Sequence, residues 1–192
     1  MKLMQLQLVF LLCMSFAAVG CRTGNTAIEN KKERVKLDWQ NQLPDNFSKF
    51  KKFPLHESVE FGDIDKIRNL LKGGLSIEEK NQFGATPLQL ATVSGKLQIV
   101  KLLIKFGANP DGYNFSNQTA LHFAALNGFD KIAEELIKSG AKVNPVDDEY
   151  WTPLDCALWS GKGIIKIELS QKKKVIDLLI RYGGKRGEIP DH

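Results

Sequence analysis

Cysteine is scarce: Cys13, Cys21 and Cys156 are the only three in 192 residues. With so few, and with Cys13 inside an apolar leader, no disulfide framework is expected to hold the fold. Histidine is equally sparse. His56, His122 and His192 lack both the spacing of a metal-ligand set and the cysteine partners that would complete one. There is no Gly-Xaa-Ser-Xaa-Gly, and no serine or cysteine is placed with a base. Gly161-Lys162-Gly163 echoes a phosphate loop but lacks the earlier glycine and the following hydroxyl residue. These absences argue against an enzyme, a cofactor, a bound metal and a small-molecule substrate. No apolar run reaches the ~20 residues that a membrane-crossing helix needs. A charge excess is also missing from most of the chain. The formal net charge is +5, yet from Phe53 onward eighteen basic and eighteen acidic side chains cancel. The excess sits between Arg22 and Lys52, where eight basic residues face four acids. That distribution marks a charged leader and gives no argument for nucleic acid.

At the start, Met1-Lys2 is a short basic opening, and Leu8 to Val19 is an apolar run interrupted only by Ser15. Its length suits the apolar centre of a signal peptide. Small residues follow, Ala17-Ala18-Val19-Gly20, and then Cys21. The stretch Ala18-Val19-Gly20-Cys21 resembles a bacterial lipobox, although that family usually has leucine where Ala18 stands. The resemblance implies a signal peptide over 1–20, lost together with Cys13, and a lipidated Cys21 that attaches the mature chain to a membrane. Arg22 after Cys21 resembles an outer-membrane address. A plain secretory cut after Gly20, releasing a soluble protein, is the alternative. Residues 21–42 read as a basic tether, either drawn to anionic headgroups or simply solvated. Leu43 to Phe50 reads as a short helix with Phe47 and Phe50 on one side, covering the open end of the region that begins at Phe53.

From Phe53 the chain repeats itself. Pro54-Leu55-His56, Thr86-Pro87-Leu88-Gln89, Thr119-Ala120-Leu121-His122 and Thr152-Pro153-Leu154-Asp155 open units at a step of 33 residues. In the second unit Gly84 closes a turn at positive φ, Thr86 caps a helix and Pro87 takes its first position. Leu88, Ala91 and Thr92 form the inward stripe of that helix, which ends at Gly95. Leu97, Val100, Leu103 and Ile104 then mark a second buried face, ended by Gly107. The other units supply equivalents, such as Leu55, Ser58, Ile67 and Leu71, or Leu121, Ala124, Ile132 and Leu136.

A unit of this length opening on Thr-Pro-Leu-His resembles the ankyrin repeat, a β-turn followed by two antiparallel helices. The resemblance implies an all-α ankyrin-repeat solenoid of about four helix-turn-helix repeats with β-turn fingers. The domain spans 43–184, with repeats at about 53–83, 84–116, 117–149 and 150–184, and residues 185–192 form a tail. Two units depart from the pattern. The first has Phe53 for threonine and Glu57-Ser58-Val59 for the usual small apolar run, as the polar outer face of a terminal repeat requires. In the fourth, Leu154, Ala157 and Gly161 fit, but Val175, Leu178, Leu179 and Gly183 arrive ten residues late. An insertion therefore lies within 162–174. Either the last helix extends backward from about Ile165, or a loop precedes a helix capped by Ser170.

Ankyrin-like domains generally bind proteins through their finger tips and the concave ends of their first helices. By position, the tips are Gln82-Phe83, Phe115-Ser116 and Asp148-Glu149, followed by Tyr150 and Trp151. The helix ends are Glu60-Phe61, Val93-Ser94, Leu126-Asn127 and Trp159-Ser160. The resulting partner-binding set is Phe83, Phe115, Ser116, Leu126, Asn127, Asp148, Glu149, Tyr150, Trp151 and Trp159. Val93 and Leu126 read more readily as core, and Trp151 and Trp159 as contact residues. Asp147-Asp148-Glu149 reads as an acidic tip, either solvated or facing a basic partner. The resemblance assigns His56 and His122 to hydrogen bonds between adjacent repeats. Cys156 aligns with Leu90 and Phe123, as a small buried hydrophobe.

The expected function is a non-enzymatic protein–protein interaction module of the bacterial envelope, lipid-anchored and facing the periplasm. By analogy with similar ankyrin-repeat lipoproteins, its protein partner is a toxic effector, such as a lipase delivered by type VI secretion, and its role is immunity. The alternative is a scaffold or chaperone for resident envelope proteins, including a role in oxidative stress.

Overall fold

The computed structural model describes residues 53–159 and 169–188. The segments read as signal peptide and tether, Cys21, the helix read at Leu43 to Phe50, residues 160–168 and the last four residues lie outside the described residues.

Eight α-helices follow one another within that range, with no strand among the described residues. They pair as α1 (Pro54–Phe61) with α2 (Ile64–Lys72), α3 (Pro87–Val93) with α4 (Leu97–Lys105), α5 (Ala120–Leu126) with α6 (Asp130–Lys138), and α7 (Pro153–Leu158) with α8 (Leu169–Arg181). The fold is an all-α repeat solenoid, as the 33-residue step implies.

The first helices of the second, third and fourth units begin on side chains that satisfy the orphan amides there. Thr86 Oγ1 accepts from Gln89 N at 3.3 Å, while Thr86 N donates to Gln89 Oε1 at 2.9 Å. Thr152 and Asp155 repeat this reciprocal box at 3.3 and 3.1 Å. In the third unit His122 replaces the amide, and its Nδ1 accepts from Thr119 N at 3.0 Å. In the first unit Phe53 offers no side-chain cap, and Asp63 instead caps α2 through Lys66 N at 2.9 Å.

Each second helix ends on one recurring bond, from Leu75 N, Ala108 N, Ala141 N and Gly184 N to the carbonyls of Leu70, Leu103, Leu136 and Leu179. These steps are 33, 33 and 43 residues, so the ten-residue insertion ends with the register restored. First helices stack on first helices through Ser58, Ala91, Ala124 and Ala157, all buried. Their small side chains allow close approach. Val100, Leu103, Leu136, Val175 and Leu179 fill the layer beneath them with equal burial.

The fourth unit differs from the sequence reading. α7 stops at Leu158, and Trp159 turns to extended backbone with φ −68° and ψ 118°, so the helix does not run on toward Gly161. α8 has thirteen residues where its counterparts have nine. Leu169 to Lys174 belong to this helix, in line with the reading of a last helix extended backward, and Ser170 lies inside it where the other reading made it a cap. The reason is on α8 itself. Lys172 is buried, and its Nζ donates to Trp159 O at 2.7 Å and Cys156 O at 3.4 Å. An ammonium group thus satisfies carbonyls that the short α7 leaves open at its end.

Candidate interaction surface

Three fingers project between the helix pairs, each closed by one side chain. Asn81 Oδ1 accepts from Phe83 N and Ala85 N, both at 3.0 Å. Asn114 Oδ1 accepts from Ser116 N and Gln118 N at 3.0 and 2.9 Å. Asp147 Oδ1 accepts from Glu149 N and Trp151 N at 3.0 and 2.9 Å. This is the turn chemistry of Asn and Asp, repeated at the 33-residue step. Asp147 is therefore no part of the acidic tip. It is 7% exposed, and its second oxygen accepts from Gln118 Nε2 at 3.3 Å. Adjacency in sequence to Asp148 and Glu149 concealed that role; alignment with Asn81 and Asn114 would have found it.

The fingers are fastened to the helices and to each other. One helix position reaches the next finger in every unit: His56 Nε2 meets Ala85 O at 2.9 Å, Gln89 Nε2 donates to Gln118 O at 2.5 Å, and His122 Nε2 meets Trp151 O at 3.0 Å. At the fourth such position Asp155 accepts instead, from Arg186 Nε at 2.8 Å and Gly187 N at 2.7 Å. A second row runs along the finger bases. Glu78 Oε1 accepts from Asn109 N, Asp111 Oδ1 from Lys142 N, and Asn144 Oδ1 from Lys185 N, at 2.7, 2.8 and 2.7 Å. At the tips, Asp148 N donates to Ser116 O at 3.2 Å and Asn117 Nδ2 to Asp148 Oδ1 at 2.5 Å. The Phe115 ring covers Gly84, where a Cβ would lie 2.7 Å from ring carbons.

Burial sets the electrostatics of this frame. It holds the His122 imidazole below its usual range, against the Trp151 carbonyl and Asp147, which favour the charged form. His56 is lowered for the same reason, against the pull of Ala85 O. The Cys156 thiol is pushed up by burial, which leaves it a core side chain. Lys172 is lowered by burial. Among the described residues no group of His, Cys, Asp and Glu is arranged to hold a metal, and no helix is long and apolar enough to cross a membrane.

The residues read as partner-binding fall into two groups. Phe83 and Leu126 are half-buried and pack against the core, Ser116 is half-buried, and Asn127 Nδ2 turns back to Phe123 O at 2.8 Å. Phe83 is thus withdrawn from the exposed tip, because the Asn81 turn folds it inward. Asp148, Glu149, Tyr150, Trp151, Trp159 and Phe115 remain exposed, Phe115 at 73%. Trp151 and Trp159 meet edge to face, with ring centroids 6.4 Å apart and planes at 63°. Phe115 belongs to the preceding finger. Sequence reasoning passed over Tyr113 and Val146, which are also exposed. They share a register with Lys80, whose Nζ lies 4.3 Å from the Tyr113 ring centroid. The same 33-residue step would have shown them.

A family model described as ankyrin repeats matches the chain in three copies, over residues 10–114, 55–147 and 107–185. No curated protein matches it.

Proposed function

The chain belongs to the ankyrin-repeat family, which makes it a protein–protein interaction module, and from that premise we propose that it binds and occludes a protein partner through its three fingers and the adjoining ends of its first helices. The observation that carries this reading is the exposed Trp151–Trp159 pair, formed between the end of α7 and a finger already bonded to its neighbour. Aromatic side chains exposed on an ordered surface bind with little loss of conformational freedom. A face fixed before binding suits an inhibitor that covers an active site.

The lipobox-like Ala18-Val19-Gly20-Cys21 supports attachment to the bacterial envelope through Cys21, facing the periplasm. In that place the fitting partner is a secreted toxic effector, such as a type VI-delivered lipase, and the module is its immunity protein. The test is affinity capture with the tagged chain against envelope and secreted fractions, followed by mass spectrometry and activity assay. Recovery of a secreted hydrolase whose activity falls on binding is the expected result. Recovery of resident envelope proteins alone removes the immunity role and makes the module a scaffold. Separately, Cys21→Ala is expected to move the protein from the membrane to the soluble fraction; unchanged fractionation removes the anchor.

A further inference from the structure

The three fingers are built alike but charged differently. The first runs Asn81-Gln82-Phe83 and the second Asn114-Phe115-Ser116-Asn117, with no charged side chain in either. The third runs Asp147-Asp148-Glu149-Tyr150-Trp151. Asp147 is spent on the turn, while Asp148 and Glu149 stand exposed at the tip. Among the described residues neither takes part in an ion pair. Asp147 Oδ1 also holds Trp151 N, so the acidic tip and Trp151 are carried on one closed loop, and Trp159, at the end of α7, sets its ring against Trp151. The two indoles are 36% and 39% exposed.

Cations do come near this end of the stack. Thr152 Oγ1 donates to Lys185 O, which brings residues 185–187 alongside the finger, but Arg186 is taken by Asp155 at 2.8 Å. One finger over, the molecule pairs an ammonium group with an aromatic ring, Lys80 over Tyr113. No described lysine or arginine lies over Trp151 or Trp159. An electron-rich indole face beside two exposed carboxylates is complementary to a guanidinium or ammonium group on a flexible stem.

We infer that the third finger and Trp159 form a subsite for a lysine- or arginine-bearing segment of the protein partner, an assignment that rests on the protein-binding reading above. The aromatic pair takes the stem and the planar cation, and Asp148 and Glu149 supply the charge that selects it.

The probes are a dansyl-labelled peptide of alternating arginine and leucine and its glutamate–leucine counterpart, titrated against the full chain by fluorescence. The arginine peptide is expected to bind and the glutamate peptide not. Asp148→Asn/Glu149→Gln and Trp159→Ala are each expected to weaken the arginine peptide by about tenfold. The carboxylate variant keeps an amide oxygen at position 148 to accept from Asn117 Nδ2 and should keep its thermal midpoint, so it remains decisive even if Trp159→Ala fails to fold. Equal binding of both peptides, or arginine-peptide binding indifferent to the carboxylate variant, overturns the assignment. Self-association in sedimentation equilibrium that the carboxylate variant abolishes overturns it too, since the occupant is then a second copy with its own basic leader. Capture of a natural partner that Trp159→Ala weakens and the carboxylate variant does not leaves protein binding in place and removes only the basic segment. Capture that neither variant changes moves the binding surface away from the third finger and removes the basic segment with it.

Discussion

Tyr150 has φ 61°, in the left-handed region, at the position that Gly84 and Asn117 hold in the other fingers with φ 71° and 55°. Glycine adopts this conformation freely and asparagine tolerates it, whereas a bulky side chain is strained there by ~1–3 kcal/mol. Tyr150→Gly is therefore expected to raise stability by about 1 kcal/mol, read as a higher thermal midpoint. An unchanged or lower midpoint shows that the ring's packing outweighs the strain. At Gly84 both φ and the Phe115 ring oppose a side chain, so Gly84→Ala should cost ~1–3 kcal/mol, part of it recovered in Gly84→Ala/Phe115→Ala. His122 adds a pH dependence. Burial lowers its folded-state pKa from 6.5, so the unfolded chain takes up the proton first as pH falls. The stability is present above 6.5, is lost as pH drops below it, and levels off under the folded-state pKa. His56 shifts the same way and adds to the effect. His122→Gln copies Gln89, keeps a donor for Trp151 O and removes one titration. Its thermal midpoint should fall less between about pH 7 and about pH 5 than that of the natural chain.

At the scale of elements, the fourth unit shows how one buried charge lets a helix pair break the pattern. α7 is a residue shorter than α3 and α5, and its open carbonyls are met by Lys172 from the N-terminal half of α8. Elsewhere Lys96 does similar work, its Nζ donating to Val59 O at 2.9 Å and to Glu60 O at the end of α1. Hydrogen bonds from a charged donor are worth ~1.5–3 kcal/mol, and part of that is offset by desolvating the ammonium group. Lys172→Ala is expected to destabilise by ~1–3 kcal/mol and to shift tryptophan emission to the red, because Trp159 loses the bond on its carbonyl. Unchanged emission shows that the Trp151 contact alone fixes the ring. The helix pairs were legible from capping residues and apolar spacing. The cap by Lys172 was not, since a lysine in the run Lys172-Lys173-Lys174 reads as solvated until the fold puts one of the three beneath Trp159.

Across the whole molecule, stability passes from unit to unit, because each finger is bonded to the helix before it and each base to the next. Among the described residues, 185–187 close the last unit at the place where a further finger would begin: Lys185 O accepts from Thr152, and Gly187 N donates to Asp155. A Cβ on Gly187 would collide with the Tyr150 carbonyl. Gly187→Ala is expected to unseat this segment and lower hydrogen-exchange protection in α7 and α8 first, leaving α3 to α6 protected. Uniform loss across all helices shows that the stack unfolds as one unit.

Sequence alone determined the period, the helix pairs and the turn glycines, because each depends on local backbone chemistry repeated every 33 residues, while the inter-repeat bonds of His56 and His122 were implied by the family resemblance. Tertiary structure decided what local chemistry leaves open. It buried Asp147 and exposed Asp148, although both are carboxylates in one acidic run. It drew Phe83 against the core and left Phe115 outside, although both sit at finger tips. It brought Trp151 and Trp159 together across eight residues of chain and set a lysine from α8 under the second of them. Whether a side chain faces water or a neighbour is settled by what the rest of the chain places beside it, and the stack supplies that neighbour from another unit.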